Sequence, residues 1–429
     1  MWRGHSDMRA PLPEYGAPAL PAPDQFEEEQ KRADSSEDRN LSAAGAARFN
    51  RRWGGGMTAR AVMRAEVVEH RLRVLLRVVL TTGEETTFPV FFDTGAASLT
   101  LDLGHLPASW RSQLEDSPEA GLSVLTSSAL KSACLGGFPL GREVPLWATP
   151  AGSITAGRPF AGVAGGALVR DSIVVLDYGD PAIRLETPGS APPQRFLPVP
   201  VSYHPDSGFP RVTVEIGDAA YPMLFDSGAS VSMISEAVAD EWRRIRPDWP
   251  QVRGSAGHAD MGSRDPERMV RPPSLKLGPL TVRRPLFVTR PAGRFEQGMS
   301  RFMSGPIVGA LAGSVLRHAN WWMDFSGRRL FTAPIPDAPS DPGIGIGIRV
   351  AWESGGWRGT EVLPSNHPAT TRALAPGDLL LAVEGQALTG VHHHELTELL
   401  GVREGASVRF TILREGREQV TEGRGARYI

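Results

Sequence analysis

Two short segments of this chain each place one carboxylate directly after an apolar strand. Residues 91–96 read FFDTGA and residues 224–229 read LFDSGA, so each aspartate is followed by a hydroxyl residue, a glycine and an alanine. A buried strand excludes an unpaired charge, and the repeated exception suggests that Asp93 and Asp226 meet in one site. Two carboxylates that share a site cannot both ionise easily, so one holds a proton while the other stays charged. Such a pair would supply an acid and a base from one residue type.

The elements that must position these aspartates also occur twice. The two aspartates are 133 residues apart, which is about the length of one small domain. Apolar alternation and turn residues predict that each aspartate ends the second strand of a hairpin, with strands at residues 72–80, 87–92, 212–216 and 221–225. A glycine-rich apolar segment follows each motif, at residues 162–168 and 305–311. Each segment leads into a further strand, at residues 173–178 and 321–325.

Over residues 66–334 this pattern resembles the aspartic peptidases, in the single-chain form with two retropepsin-like halves. The resemblance implies hydrolysis of peptide bonds by a water held between the two aspartates, with no metal and no other cofactor. It also implies a role for each motif residue: activation of water (Asp93, Asp226), hydroxyl bonds to the opposite loop (Thr94, Ser227), and space beside the carboxylates (Gly95, Gly228).

The fold that this resemblance implies is mainly β. Two retropepsin-like β-barrel lobes, at residues 66–190 and 196–334, would be related by a pseudo-two-fold axis. A hairpin that covers the active site is expected within residues 123–135, with a counterpart near residues 257–263.

The chain changes character after residue 334. Residues 335–342 are a proline-rich polar linker that suits neither a helix nor a central strand. Residues 343–422 resemble a small α+β PDZ domain of the bacterial type, because GIGIGI at residues 343–348 is similar to its carboxylate-binding loop and APGDLLLAVEG at residues 375–385 is similar to its core. A helix at residues 394–400 and a strand at residues 408–413 complete the pattern.

The PDZ resemblance implies a second site for peptides. Backbone N–H groups of the loop would capture the terminal carboxylate of a peptide, and the adjacent strand would accept the peptide as an added strand. The loop residues concerned are Gly345, Ile346, Gly347 and Ile348. Structural packing of this module against the rest of the chain is an equal alternative.

Composition limits the partners of this 429-residue chain. A net charge of −2 without a basic patch argues against nucleic acid, and the single Cys134 rules out an internal disulfide. Three successive histidines at residues 392–394 indicate a solvated helix start, because adjacent residues on a helix point in different directions and chelate one ion poorly. No metal site is therefore predicted, and the chain is expected to act as a monomer on peptides or proteins.

The start of the chain bears on its location. Residues 1–60 are rich in proline, alanine, glycine and charge, and are expected to be disordered. No signal peptide is visible, and the apolar run 72–80 is short and interrupted by Arg73 and Arg77, so no membrane span is expected. The chain as written favours the cytoplasm, whereas a start at Met57 would leave the periplasm or export open.

Three functions fit these patterns. The first is an aspartic endopeptidase with a PDZ module for substrate recruitment or regulation. The alternative is a peptide-binding adaptor whose lobes have lost activity, although both aspartates, both glycines and both hydroxyls are present. In the third, the first 60 or so residues act as a propeptide over the cleft, with few apolar anchors to hold them there.

Overall fold

The structure is a computed structural model of the whole chain. It describes residues 59–116, 122–125, 128–140, 144–151, 160–253, 268–336, 338, 344–353, 356–362, 373–391, 395–396 and 399–427.

Strands account for most of the regular structure up to residue 336. They are β1 (Ala59–Arg64), β2 (Glu66–Val68), β3 (Arg71–Leu80), β4 (Glu85–Asp93), β5 (Leu99–Asp102), β6 (Glu115–Asp116), β7 (Ser123–Leu125), β8 (Leu130–Leu135), β9 (Phe138–Pro139), β10 (Leu146–Thr149), β11 (Gly162–Gly165), β12 (Ile173–Asp177), β13 (Ala182–Glu186), β14 (Leu197–Val199), β15 (Val201–Tyr203), β16 (Pro210–Ile216), β17 (Ala219–Phe225), β18 (Ser232–Ser235), β19 (Gln251–Arg253), β20 (Arg268–Val270), β21 (Ser274–Leu277), β22 (Leu280–Arg283), β23 (Phe287–Arg290), β24 (Gly309–Leu311), β25 (Ala319–Asp324) and β26 (Arg329–Pro334). The described α-helices of this part are α1 (Ala108–Arg111), α2 (Glu236–Ile245) and α3 (Gly313–Leu316), and helical turns of other types cover Leu103–His105, Gly166–Val169, Arg294–Gly298 and Met299–Phe302.

Two ten-stranded sheets repeat the same topology. The first runs in the order β6-β7-β10-β5-β11-β4-β3-β8-β9, with β2 on β3, and the second runs β19-β20-β23-β18-β24-β17-β16-β21-β22, with β15 on β16. Every strand of one sheet therefore has a counterpart at the same place in the other. The hairpins predicted before each aspartate are confirmed as β3–β4 and β16–β17.

The glycine-rich segments form the strands that lie beside each motif. β11 lies parallel to β4 and antiparallel to β5, while β24 lies parallel to β17 and antiparallel to β18. Glycine is required at these positions because the strands approach closely: a Cβ on Gly165 would lie 2.5 Å from the Ala96 carbonyl oxygen, and one on Gly309 would overlap the Met233 carbonyl. These segments therefore hold the aspartate loops against their sheets.

A six-stranded sheet joins the two halves, in the order β1-β13-β12-β25-β26-β14. Its centre is the antiparallel pair β12–β25, in which Ile173 lies opposite Asp324. The hairpin on each side closes with the same ion pair: Asp177 accepts a hydrogen bond from Arg184 at 3.0 Å, and Asp324 accepts one from Arg329 at 2.7 Å. The joining sheet thus repeats across its centre as the two larger sheets do.

The hydrophobic core runs through both halves and beneath the second motif. The Trp321 ring on β25 packs edge-on against Phe225, the residue before Asp226, with ring centroids 4.9 Å apart. Its indole N–H donates to the Leu316 carbonyl at 2.7 Å, so burial of this large ring leaves no donor unpaired. This packing anchors the end of β17.

The structure adds detail near the sequence-based boundaries. β1 begins at Ala59, within the stretch expected to be disordered, because it pairs with β13. The Ile335 N–H donates to the His318 carbonyl at 2.9 Å, so the first residue of the expected linker contacts the second half.

The expected hairpin within residues 123–135 is wrong in its pairing. β7 pairs with β6 and β8 pairs with β3, so β7 and β8 do not form a hairpin with each other. In the second half, β19 pairs with β20, and residues 257–263 lie outside the described residues.

The C-terminal strands form sheets of their own. They are β27 (Ile344–Gly345), β28 (Ile348–Glu353), β29 (Gly356–Val362), β30 (Leu379–Val383), β31 (Gln386–Ala387), β32 (Ser407–Arg414), β33 (Arg417–Arg424) and β34 (Ala426–Arg427). β27 pairs with β34, and the others run β28-β29-β30-β32-β33, with β31 on β30. The strand predicted at 408–413 is confirmed as β32, and the strands continue to Arg427, beyond the expected end at 422.

This C-terminal part has a separate hydrophobic core. Its centre contains Trp357, Leu380 and Phe410, all buried. In the predicted helix at 394–400, Glu395, Leu396 and Leu399 are helical, whereas residues 394, 397 and 398 lie outside the described residues, and so does the histidine run 392–394. No helix in the described part of the chain is long and apolar enough to span a membrane.

A buried carboxyl in the joining sheet should make stability depend on pH. Glu186 on β13 is fully buried; its Oε2 accepts the Trp322 indole N–H at 3.2 Å, and its Oε1 has no hydrogen-bond partner among the described residues. Burial raises the pKa of Glu186 from 4.5 to about 7. The unfolded chain therefore loses this proton at lower pH than the folded protein, and stability falls as pH rises from about 4.5 to about 7.

We expect Glu186→Gln to increase the free energy of unfolding at pH 8, by up to about 3 kcal/mol relative to wild type. The gain should fade below about pH 4, where the wild-type carboxyl is mostly protonated in both states. Chemical denaturation across this pH range measures it, with Glu215→Gln, an exposed position on β16, as the control. A gain that does not change with pH would show that Glu186 stays ionised in the fold.

Candidate active site

The two aspartates lie at equivalent ends of equivalent strands and face each other. Asp93 is the last residue of β4, and Asp226 follows β17, where its N–H donates to the Leu311 carbonyl at 2.8 Å. A Cβ placed on Gly95 would lie 3.2 Å from both Asp226 Cγ and Asp93 Oδ1. The two carboxyl groups predicted from the sequence are thus brought to one place.

The hydroxyl residues connect the two loops by four reciprocal hydrogen bonds. The Thr94 hydroxyl donates to the Phe225 carbonyl at 2.7 Å and accepts the Ser227 N–H at 3.0 Å. In the other direction, the Ser227 hydroxyl donates to the Phe92 carbonyl at 2.8 Å and accepts the Thr94 N–H at 3.0 Å. Both side chains are 1% exposed, so these bonds form away from water and fix one loop relative to the other.

The two glycines leave the space that the facing carboxylate occupies. A Cβ on Gly228 would overlap the Asp93 carboxyl, and one on Gly95 would press on both aspartates. Any larger residue would therefore push the carboxyl groups apart. Space next to the opposite carboxylate is the reason for glycine at both positions.

Backbone amides hold each carboxylate in its own loop, but unequally. The Asp93 Oδ1 accepts the Gly95 N–H at 2.7 Å. The Asp226 Oδ1 accepts the N–H groups of Gly228 and Ala229, both at 3.0 Å. The amide of Ala96, the counterpart of Ala229, donates instead to the Asp93 backbone carbonyl.

Burial and mutual repulsion keep a proton in this site. Burial raises the pKa of Asp93, against the opposing effects of the Gly95 amide, a hydrogen bond from Asp226 and the positive charge of Arg71. Burial also raises the pKa of Asp226, well above its usual range, and the negative charge of Asp93 raises it further. The pair can therefore hold one proton and one negative charge at the same time, which makes both an acid and a base available.

Two residues near the aspartates were missed by the sequence analysis. Arg71, which is 3% exposed, begins β3 and donates from Nη1 to the Gly228 carbonyl at 3.2 Å. Tyr178 follows β12, and its buried hydroxyl has no hydrogen-bond partner among the described residues, while the charge of Asp226 adds to burial in raising its pKa. Its counterpart after β25 is Phe325, so a comparison of the two repeats could have identified the tyrosine.

The residues predicted to bind peptides in the PDZ-like loop lie in the C-terminal part, between its two sheets. Gly345 ends β27, Ile348 begins β28, and the two residues between them connect these strands. Gly347 has a φ of +73°, which only glycine adopts readily. Among the described residues, no group of three or more His, Cys, Asp or Glu side chains is arranged to hold a metal ion.

We expect Thr94→Val to destabilise the protein by roughly 2–4 kcal/mol, because an isosteric methyl leaves the Ser227 N–H and the Phe225 carbonyl buried without their partner. Urea denaturation measures the loss, with Thr213→Val, an exposed position on β16, as the control. In a double-mutant cycle with Ser227→Ala, the second substitution should cost less than it does alone, because the two hydroxyls support the same loop contact. Simple additivity would contradict this coupling.

Comparison with known proteins supports part of this interpretation. No curated protein matches the chain. A family model described as aspartyl protease matches residues 212–301. The matched segment runs from β16 past β23 and contains Asp226, Ser227 and Gly228, whereas Asp93 lies outside it. Residues 212–301 therefore form an aspartyl-protease-type segment of a mainly β protein.

Proposed function

We propose that this protein is an aspartic endopeptidase that hydrolyses peptide bonds with a water held between Asp93 and Asp226. The observation that carries the proposal is the pair of half-buried carboxyl groups that face each other across loops joined by reciprocal Thr94 and Ser227 bonds. Aspartates that only support a turn would have no reason to meet. Placing a second carboxylate in the same partly buried site costs further free energy, so a structural role alone does not explain the pair.

The reaction that we propose needs only the pair, water and the peptide. The ionised carboxylate takes a proton from water as the water oxygen bonds to the carbonyl carbon, while the protonated carboxyl gives its proton to the carbonyl oxygen. In the tetrahedral diol, the first carboxyl then gives its proton to the amide nitrogen, and the C–N bond breaks. The second carboxylate recovers a proton from a diol hydroxyl, which leaves a carboxylic acid, an amine and the original pair.

The organisation that we propose is two lobes related by a pseudo-two-fold axis, followed by a PDZ-like module. The identical strand orders of the two ten-stranded sheets support the lobes, at residues 66–190 and 196–334. The separate core and sheets of the C-terminal part support a module from residue 343 onwards.

A peptide site in this module is supported by the edge of its sheet. Of the described strands, β29 alone pairs with β28, and β28 follows directly on the loop Gly345–Ile346–Gly347. An unpaired edge next to a glycine-rich loop offers the N–H groups that an added strand and a terminal carboxylate require. We propose that Gly345, Ile346, Gly347 and Ile348 bind the C-terminus of a peptide, which would recruit or regulate substrates.

We expect Asp93→Asn and Asp226→Asn each to lower peptide cleavage by about 10²–10⁴-fold with the fold intact, because an amide neither activates water nor shares a proton. Cleavage of a peptide library, read by mass spectrometry, measures this, with Asp218→Asn, an exposed turn residue, as the matched control. A loss below about tenfold in either variant contradicts the assignment. Absence of cleavage by the wild type, together with peptide binding, would favour the adaptor.

We expect deletion of residues 338–429 to leave kcat/KM for a short peptide within about twofold of the full-length value. The same deletion should lower the processing of long substrates by about tenfold or more, because an attached binding module raises the local substrate concentration. Gly347→Val should reproduce the selective loss. Gly416→Val is the control, because both glycines have positive φ and open space around the Cβ position. Equal loss on short and long substrates would show that the module serves the fold and not recruitment.

A further inference from the structure

Arg71 is a buried cation on the strand next to Asp93. In the β3–β4 ladder Arg73 pairs with Phe91, so continuing the antiparallel register brings Arg71 opposite Asp93. The side chain is only 3% exposed. The positive charge of Arg71 lowers the pKa of Asp93, and burial leaves this interaction little screened by water.

The guanidinium is held from several directions. It stacks on the Phe91 ring at 3.8 Å from the centroid and lies 5.2 Å from that of Phe160. Its Nη2 forms an ion pair with Glu69, in the turn before β3, whereas its Nη1 reaches the Gly228 carbonyl in the opposite loop. Glu69 and the Gly228 carbonyl therefore hold the guanidinium through two different nitrogens.

The second half has no such cation at the equivalent position. In the β16–β17 ladder Arg211 pairs with Leu224, so the same extension of register brings the buried Phe209 opposite Asp226. One aspartate thus has an arginine across from it, and the other has a phenyl ring. This substitution breaks the symmetry of the two repeats beside the reacting groups.

Backbone amides favour the charged form of both aspartates: two amides reach one oxygen of Asp226, and those of Gly95 and Gly228 act on Asp93. The hydrogen bond that Asp93 receives from the Asp226 carboxyl agrees with a charge on Asp93, so the question is which fixed charge favours that arrangement. Three charged or titratable groups interact with the two aspartates or with their partners. Arg71 on β3 acts on Asp93, Glu69 forms an ion pair with Arg71, and Tyr178 at the end of β12 interacts with Asp226. Of these, Arg71 supplies the positive charge, and it acts on Asp93.

We propose that Arg71 is the positioning residue that makes Asp93 the ionised base and Asp226 the proton-bearing acid of the pair. This inference rests on the proposed function for the meaning of the two roles. The distribution of charge itself can be measured without any substrate.

The test reads each carboxyl alone. In Asp226→Asn the remaining carboxyl is Asp93, and in Asp93→Asn it is Asp226; carboxyl ¹³C NMR of aspartate-labelled protein gives each titration midpoint. We expect Asp93 to titrate below Asp226. Adding Arg71→Gln, which keeps an N–H donor but removes the charge, should raise the Asp93 midpoint by about one to three pH units and close or reverse the gap.

Two further variants separate charge from structure. Arg71→Lys keeps the charge and should keep the order of the two midpoints. Arg77→Gln, on the same strand but half exposed and paired with Glu85, is the control and should move neither midpoint. If Arg71→Gln does not fold, Arg71→Met, which removes the charge but keeps much of the apolar stem, takes its place: a closed gap supports the proposal, and an unchanged gap overturns it.

Each outcome bears on one claim. An unchanged gap in Arg71→Gln overturns the role of Arg71, whether or not the protein cleaves peptides. A gap that closes in a protein without cleavage supports the charge assignment and removes the proposed function. In an active protein, Arg71→Gln should also move the acid limb of the kcat/KM profile to higher pH, and Arg77→Gln should not.

Discussion

The exchange of hydrogen bonds between Thr94 and Ser227 is the contact on which the rest of the site depends. Each hydroxyl bonds to the loop of the other half, and none of the four bonds is open to water. Two carboxyl groups repel each other when both are charged, so something stronger must keep their loops together. The glycines and the joining sheet then have a common purpose, because they let the loops approach and keep them from separating.

Much of this arrangement could be predicted from sequence because it occurs twice. A single Asp-Thr-Gly is an ordinary turn, but the repeat of FFDTGA as LFDSGA, with a hairpin before and a glycine-rich strand after, constrains the fold. The predicted hairpins β3–β4 and β16–β17, and the strand β32, all formed as expected. These strands could be predicted because apolar residues alternate along them and glycines mark the turns between them.

What could not be predicted is what the two repeats do not share. Arg71 looks like any charged residue at the start of a strand, and only an extension of the ladder register brings it opposite Asp93 and brings Phe209 opposite Asp226. The joining sheet was equally hidden, because β12 and β25 meet through a pairing that no local pattern encodes. Hairpin boundaries such as β6–β7 were missed because very short strands leave almost no periodicity.

The β12–β25 pairing also has a consequence for how the chain is made. β12 and β13 leave the ribosome well before residues 319–324 are synthesised. The edge of β12 that pairs with β25 in the finished protein therefore stays unpaired while most of the second half is made. β12 is buried along its entire length in the finished protein, so its apolar side chains are unprotected in the meantime. A contact of such long sequence separation forms late and slowly, and an unpaired apolar edge invites pairing with another nascent chain. The sheet that joins the two halves of the finished molecule is thus a place where a growing chain is exposed to misassembly.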